Sequence, residues 1–155
     1  MMLKVEFINP FIEAAYEIIE AELGLKVEKG PLSVHTSSQT SQEVNVLVGV
    51  TGKIKGQIIY GMTEKTAKKI ASEMIGQNLP LFDDLAQSAV GELGNMITGT
   101  ASTKLEQAGY PSALTPPTLI CGKSVIISIL DAQRLYIVLT SSLGDIEVSV
   151  ALREG

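Results

Sequence analysis

The sequence predicts an α+β fold in one domain, with a largely antiparallel sheet flanked by helices. Three observations carry this. Helical and strand-like periodicities alternate in blocks, in the order α-βββ-αα-βββ. Consecutive strand-like runs are joined by short turn signals, which favours antiparallel pairing over crossover connections. The chain is 155 residues long with 45% hydrophobic and 19% charged residues, enough for a single well-packed core without disulfides or a metal.

Asn9-Pro10, followed by apolar Phe11, Ile12, Ala15, Ile19 and Leu23 and then Gly24, reads as a capped helix with proline at its first position. Strand-like runs follow at about 32–40, 43–51 and 54–62, with "TGKIKG" joining the last two as a hairpin. Thr63 caps a second helix whose Ala67, Ile70, Ala71, Met74 and Ile75 share one face, and Gly76 lies past its end. Asp83 and Asp84 supply N-cap chemistry for a long third helix reaching about Ala108, with Gly109 and Pro111 stopping it. The last third is β again: "TLIC", "VIISIL", "LYIVLT" and "IEVSVAL", with turns at Asp131-Ala132-Gln133 and Leu143-Gly144-Asp145.

Composition excludes several function classes. Net charge is −5, and the twelve Lys and Arg are scattered, with Lys68-Lys69 the only adjacent pair. No basic stripe exists to neutralise phosphates, so neither nucleic acid nor an anionic membrane surface is an expected partner. A partner offering lysine or arginine is easier to accommodate. The N-terminal "MMLKVEFINP" has no signal-peptide core and no apolar run has membrane-spanning length, so the expected location is the cytoplasm.

Several chemistries fail on spacing. "CGKS" at 121–124 ends like a phosphate-binding loop, but Pro117 stands where that motif needs glycine, and a β-patterned run follows. His35 has no visible triad partner. Ser88 has no neighbouring base to make it a nucleophile. No His, Cys, Asp or Glu cluster has metal-ligand spacing, so no metal of the chain's own is expected. Cys121, alone and within an apolar run, is expected to be buried and inert.

The third helix is different. It carries Gly91, Gly94 and Gly99, each costing roughly 1 kcal/mol relative to alanine. With Glu92 set at zero on a helical wheel, Leu85, Ala86, Ala89, Val90, Leu93, Met96 and Ile97 fall between about 20° and 160°, the expected core face. Gly91, Ser102, Asn95, Ser88 and Gly99 fall between about 260° and 340°. Glu92 and Asn95 thus project together from a strip of Ser and Gly, leaving the backbone bare for close approach. Gly94, near 200°, is off this strip and is expected to serve packing. E-x-x-N also occurs at Glu6 to Asn9, where Asn9 reads as a cap.

Ser88-x-x-x-Glu92-x-x-Asn95 on a long helix, in this element order, resembles the motif of the CheC/CheX/FliY family of bacterial chemotaxis phosphatases. "INPFIEAAYEIIEAELG" and "TPPTLICGK" are similar to its CheX branch, and a single helical copy of the motif agrees with that branch. The family also carries a proline downstream of the asparagine, and both Pro116 and Pro117 lie close to that place.

The resemblance implies a CheC/CheX-like domain over 1–155 and a substrate, the phosphorylated CheY-type receiver, whose aspartyl phosphate is hydrolysed. It implies catalytic roles for Glu92 and Asn95, with Ser88, Gly91 and Gly99 facing the partner. The receiver would supply Mg²⁺ and a lysine; the chain would bring no cofactor of its own. A non-catalytic adaptor for a receiver or flagellar-switch component is the alternative. A homodimer paired through a sheet edge such as "VNVLVGV" is also expected.

Overall fold

In the computed structural model, residues 5–35, 39–40, 42–123, 126–128 and 133–155 are described. The described elements are three helices, α1 Val5–Leu23, α2 Glu64–Ile75 and α3 Asp84–Gln107, and ten strands. The strands are β1 Glu28–Lys29, β2 Ser33–His35, β3 Gln39–Thr40, β4 Val44–Gly52, β5 Ile54–Met62, β6 Ser112–Leu114, β7 Thr118–Cys121, β8 Ile127–Ser128, β9 Arg134–Ser141 and β10 Gly144–Glu154.

Two hairpins build the centre of the sheet. β4 and β5 pair from Val44–Met62 to Val50–Gly56, and β9 and β10 pair from Ser141–Gly144 to Leu135–Val150. β10 then pairs along β5, giving the central order β9-β10-β5-β4. Short β1 and β2 add to β9, and β6 and β7 add to β4. Every pairing is antiparallel, as expected for strands joined by short turns. β3 and β8 form a separate two-stranded ribbon.

Period-two burial decides which face meets the helices. Val44, Val46, Val48 and Val50 on β4, Ile54, Ile58, Tyr60 and Met62 on β5, and Ile146, Val148, Val150 and Leu152 on β10 are all buried in the main core. The helices contribute Phe7, Ile8, Phe11, Ile70, Val90, Leu93 and Ile97 to the same core.

Local signals placed α2 and the start of α3. Thr63 Oγ1 accepts from the Thr66 amide at 3.1 Å, and Asp83 Oδ1 accepts from the Ala86 amide at 3.1 Å. α1 departs from the expectation. It already includes Val5, so Pro10 lies in its interior and Asn9 is helical rather than a cap. A proline there forfeits the bond to the Glu6 carbonyl. Phe7 and Ile8 are fully buried, each stabilising the fold by about 1.5–3 kcal/mol, and together they outweigh that loss.

Other expectations are redrawn. Of the run 32–40, Ser33–His35 pairs with β9 and Gln39–Thr40 with β8, while 36–38 lie outside the described residues. Of "VIISIL", Ile127–Ser128 forms β8, while 125, 129 and 130 lie outside the described residues, as do 131 and 132 of the expected turn. β1 and β6 are too short to leave a periodic signal. "VNVLVGV" is not a free edge, because β6 and β7 cover β4.

Candidate functional site

α3 is buried at Ala86, Val90, Leu93, Gly94, Ile97, Ala101 and Leu105. On the wheel this stripe centres near 160°, almost opposite Glu92, rather than near 90° as expected. Two neighbours rotate it. α1 packs along the helix, with Lys104 Nζ 3.0 Å from Glu17 Oε1 and 3.8 Å from Glu13 Oε2. Beneath it, Gly94 faces β4. A Cβ there would come 2.7 Å from Val46 Cγ1 and 3.4 Å from Pro117 Cβ. Gly94 is thus the packing glycine, and Pro117 is the proline that leans on the helix. The rotation corrects two expected core residues: Leu85 is 50% exposed, and Met96 is only half-buried and stands outside the core cluster.

The opposite side of α3 presents Leu85, Ser88, Glu92, Asn95 and Gly99, all exposed and spaced three, four, three and four residues apart. Such spacing keeps them in one stripe along the helix. Nothing lies within 4 Å of a Cβ built at Gly91 or Gly99. The protein's own packing therefore does not require glycine at either position. Among the described residues, no hydrogen bond or ion pair engages the side chains of Ser88, Glu92 or Asn95. The carboxylate and the amide are left with their full bonding capacity: an anionic acceptor, and a group that both donates and accepts.

The Glu6–Asn9 copy is also helical, which overturns the expectation that one copy alone lies on a helix. Its surroundings differ. The Glu6 carboxylate accepts from the Tyr110 hydroxyl at 2.7 Å, and Tyr110 stacks edge-on against Phe7 with ring centroids 4.8 Å apart. That pair helps tie the end of α3 to α1.

The remaining candidates stay apart from this strip. His35 packs its ring against Tyr136 at 4.4 Å, with Nε2 3.0 Å from Ser33 Oγ, and no acid completes a triad among the described contacts. Cys121 is exposed, not buried as expected, because it ends the outer strand β7. Partial desolvation and, secondarily, the Glu64 carboxylate push its thiol above the ordinary range. Among the described residues no group of three or more His, Cys, Asp or Glu could hold a metal ion.

Sequence reasoning missed a polar layer on the sheet face away from the helices. Arg134 Nη1 donates to Ser149 Oγ at 2.8 Å, Gln42 Nε2 donates to Glu147 Oε2 at 2.5 Å, and the Tyr136 hydroxyl donates to Glu147 Oε1. Alternation along "RLYIVLT" and "IEVSVAL" was the signal available for it.

A family model described as chemotaxis phosphatase CheX matches residues 44–140, which include all of α3. The chain belongs to the CheX family. A CheY-P phosphatase CheX from Thermotoga maritima is 36% identical over 121 residues, covering 77% of this chain and 78% of that one. A chemotaxis protein CheX from Desulfovibrio desulfuricans superposes with TM-score 0.87 at 25% identity, covering 96% of this chain and 100% of that one. A CheX-CheY-BeF3-Mg²⁺ complex from Borrelia burgdorferi contains a chain matching with TM-score 0.82 at 29% identity, covering 97% of this chain and 100% of that one. The CheC/CheX-like α+β fold expected from the sequence is the fold of this family.

Proposed function

We propose that this chain hydrolyses the aspartyl phosphate of a phosphorylated CheY-type receiver, and that Glu92 and Asn95 carry the reaction. The observation behind the reading is the uncommitted Glu92–Asn95 pair, exposed on a stripe with open space at Gly91 and Gly99, in a chain of the CheX phosphatase family.

Asn95 is the water-positioning group. Its amide oxygen accepts from the water and its NH2 donates, which holds the water in line with phosphorus without a general base. The water oxygen bonds to phosphorus, the bond from phosphorus to the aspartate oxygen breaks, and the aspartate leaves as a carboxylate. The proton lost by the water ends on the released phosphate. Phosphoryl transfer asks mainly for such positioning and for charge neutralisation. The receiver supplies the second, through its Mg²⁺ and lysine, and Glu92 pairs with that lysine. Ser88, Gly91 and Gly99 let the receiver backbone approach α3.

The reading extends to one functional unit over 1–155, acting in the cytoplasm as a homodimer. No helix among the described residues is long and apolar enough to cross a membrane. Edge pairing would use the short outer strands, and exposed Leu32 beside β2 and Val34 within it favour that edge. Light scattering at micromolar concentration should return about twice 16.5 kDa; a monomer removes the dimer from the account. Phosphate release from a CheY-type receiver charged with acetyl phosphate tests the activity. An adaptor would bind that receiver without accelerating release.

A further inference from the structure

Five large apolar side chains are exposed among the described residues: Leu32, Val34, Leu81, Leu85 and Ile126. Single exposed leucines are ordinary on a protein surface. Leu81 and Leu85 are not ordinary in position, since both stand at the N-terminal end of α3. Leu85 heads the stripe that continues through Ser88, Glu92, Asn95 and Gly99.

The turn that carries Leu81 is pinned on both sides. Leu79 is buried, and its amide donates to Ser72 Oγ at 3.0 Å. Lys68 Nζ donates to the Pro80 carbonyl at 3.3 Å. Phe82 packs against the main core, and Asp83 caps the helix. With Leu79 and Phe82 turned inward on either side, Leu81 is held outward and is 68% exposed. An apolar group presented on a fixed turn loses little freedom on binding, which is what an anchor residue needs.

We propose that Leu81 and Leu85 form an apolar anchor for the same receiver protein, setting which receivers the chain accepts. This rests on the function proposed above, because the occupant is identified by continuity with the Glu92–Asn95 stripe. Helical rise fixes its reach. Leu85 stands two turns, about 10 Å, from Glu92 and about 15 Å from Asn95. The accepted receiver must therefore present apolar side chains about 10–15 Å from its phosphorylated aspartate. A receiver with a charged surface there would be a poor substrate, since it would desolvate that charge against leucine.

Steady-state dephosphorylation of an acetyl-phosphate-charged CheY-type receiver tests the anchor, using Leu81→Ser, Leu85→Ser, the double variant, Leu85→Met and Ile126→Ser. Each serine variant should raise KM about five- to tenfold, and kcat should move less than about twofold. Leu85→Met should restore the wild-type KM, and Ile126→Ser should behave as wild type. Unchanged KM in the double variant overturns the anchor, as does a fall in kcat without a rise in KM. Asn95→Ala run in parallel separates the two claims. If Asn95→Ala is inactive while the leucine variants are normal, only the anchor fails. If Asn95→Ala keeps full turnover, the reading beneath it fails as well.

Discussion

Gly94 of α3 lies so close to Val46 of β4 that a Cβ on residue 94 would come within 2.7 Å of the valine Cγ1. Valine is stiff at χ1, and Pro117 closes the other side, so neither neighbour can swing away cheaply. Gly94→Ala should therefore lower stability by about 1–3 kcal/mol, more than the ~1 kcal/mol of helix propensity it gains. Urea unfolding should show a lower midpoint at unchanged slope. A midpoint at or above wild type would mean that α3 and β4 part easily.

Gly91 and Gly99 should behave in the opposite way. Open space surrounds both, so Gly91→Ala and Gly99→Ala should each raise stability by about 0.5–1 kcal/mol in the same titration. Gly99→Leu should fold but bind a beryllofluoride-activated receiver at least about tenfold more weakly, since the bulk stands where the proposed docking brings the receiver. Equal binding would free these glycines from any role in docking.

This contrast shows what the sequence could and could not convey. Caps and periodicities are local, so Thr63, Asp83, the β4–β5 hairpin and the exposure of Glu92 and Asn95 were all legible. The phase of the core stripe on α3 was not. It depends on where α1 and β4 press, so Leu85, which the helical wheel puts on the core face, stands exposed. Pro10 misled for the same reason, because burial of Phe7 and Ile8 overrides a local preference for helix starts. Strands of two or three residues, such as β1 and β6, exist only through their partners.

The two E-x-x-N copies give a matched control. Glu6 is committed to Tyr110, whereas Glu92 is uncommitted. Asn9→Ala should leave receiver dephosphorylation within about twofold of wild type, because its helix face carries no bare strip. A large loss of turnover with folding intact would assign chemistry to α1 as well.

Cys121 should report its environment through pH. Desolvation, then Glu64, raises its thiol above the ordinary value, so less thiolate is present at pH 7–8 than in a free cysteine. Maleimide labelling should be slower than for a model thiol at pH 8 and should accelerate as pH rises further. Fast labelling at pH 7 would contradict this. The residue lies outside the proposed site, so its modification should spare receiver dephosphorylation.

In the proposed mechanism Asn95 holds the attacking water while Glu92 holds the receiver. Single-turnover phosphate release from a charged receiver, measured beside binding to its beryllofluoride-activated form, separates these roles. Asn95→Ala should bind nearly as wild type yet release phosphate at least ~100-fold more slowly, the scale lost with a key positioning group. Glu92→Lys should weaken binding as well, because it sets like charges against each other. Full phosphate release by Asn95→Ala would contradict the account and leave the stripe on α3 as a binding surface alone.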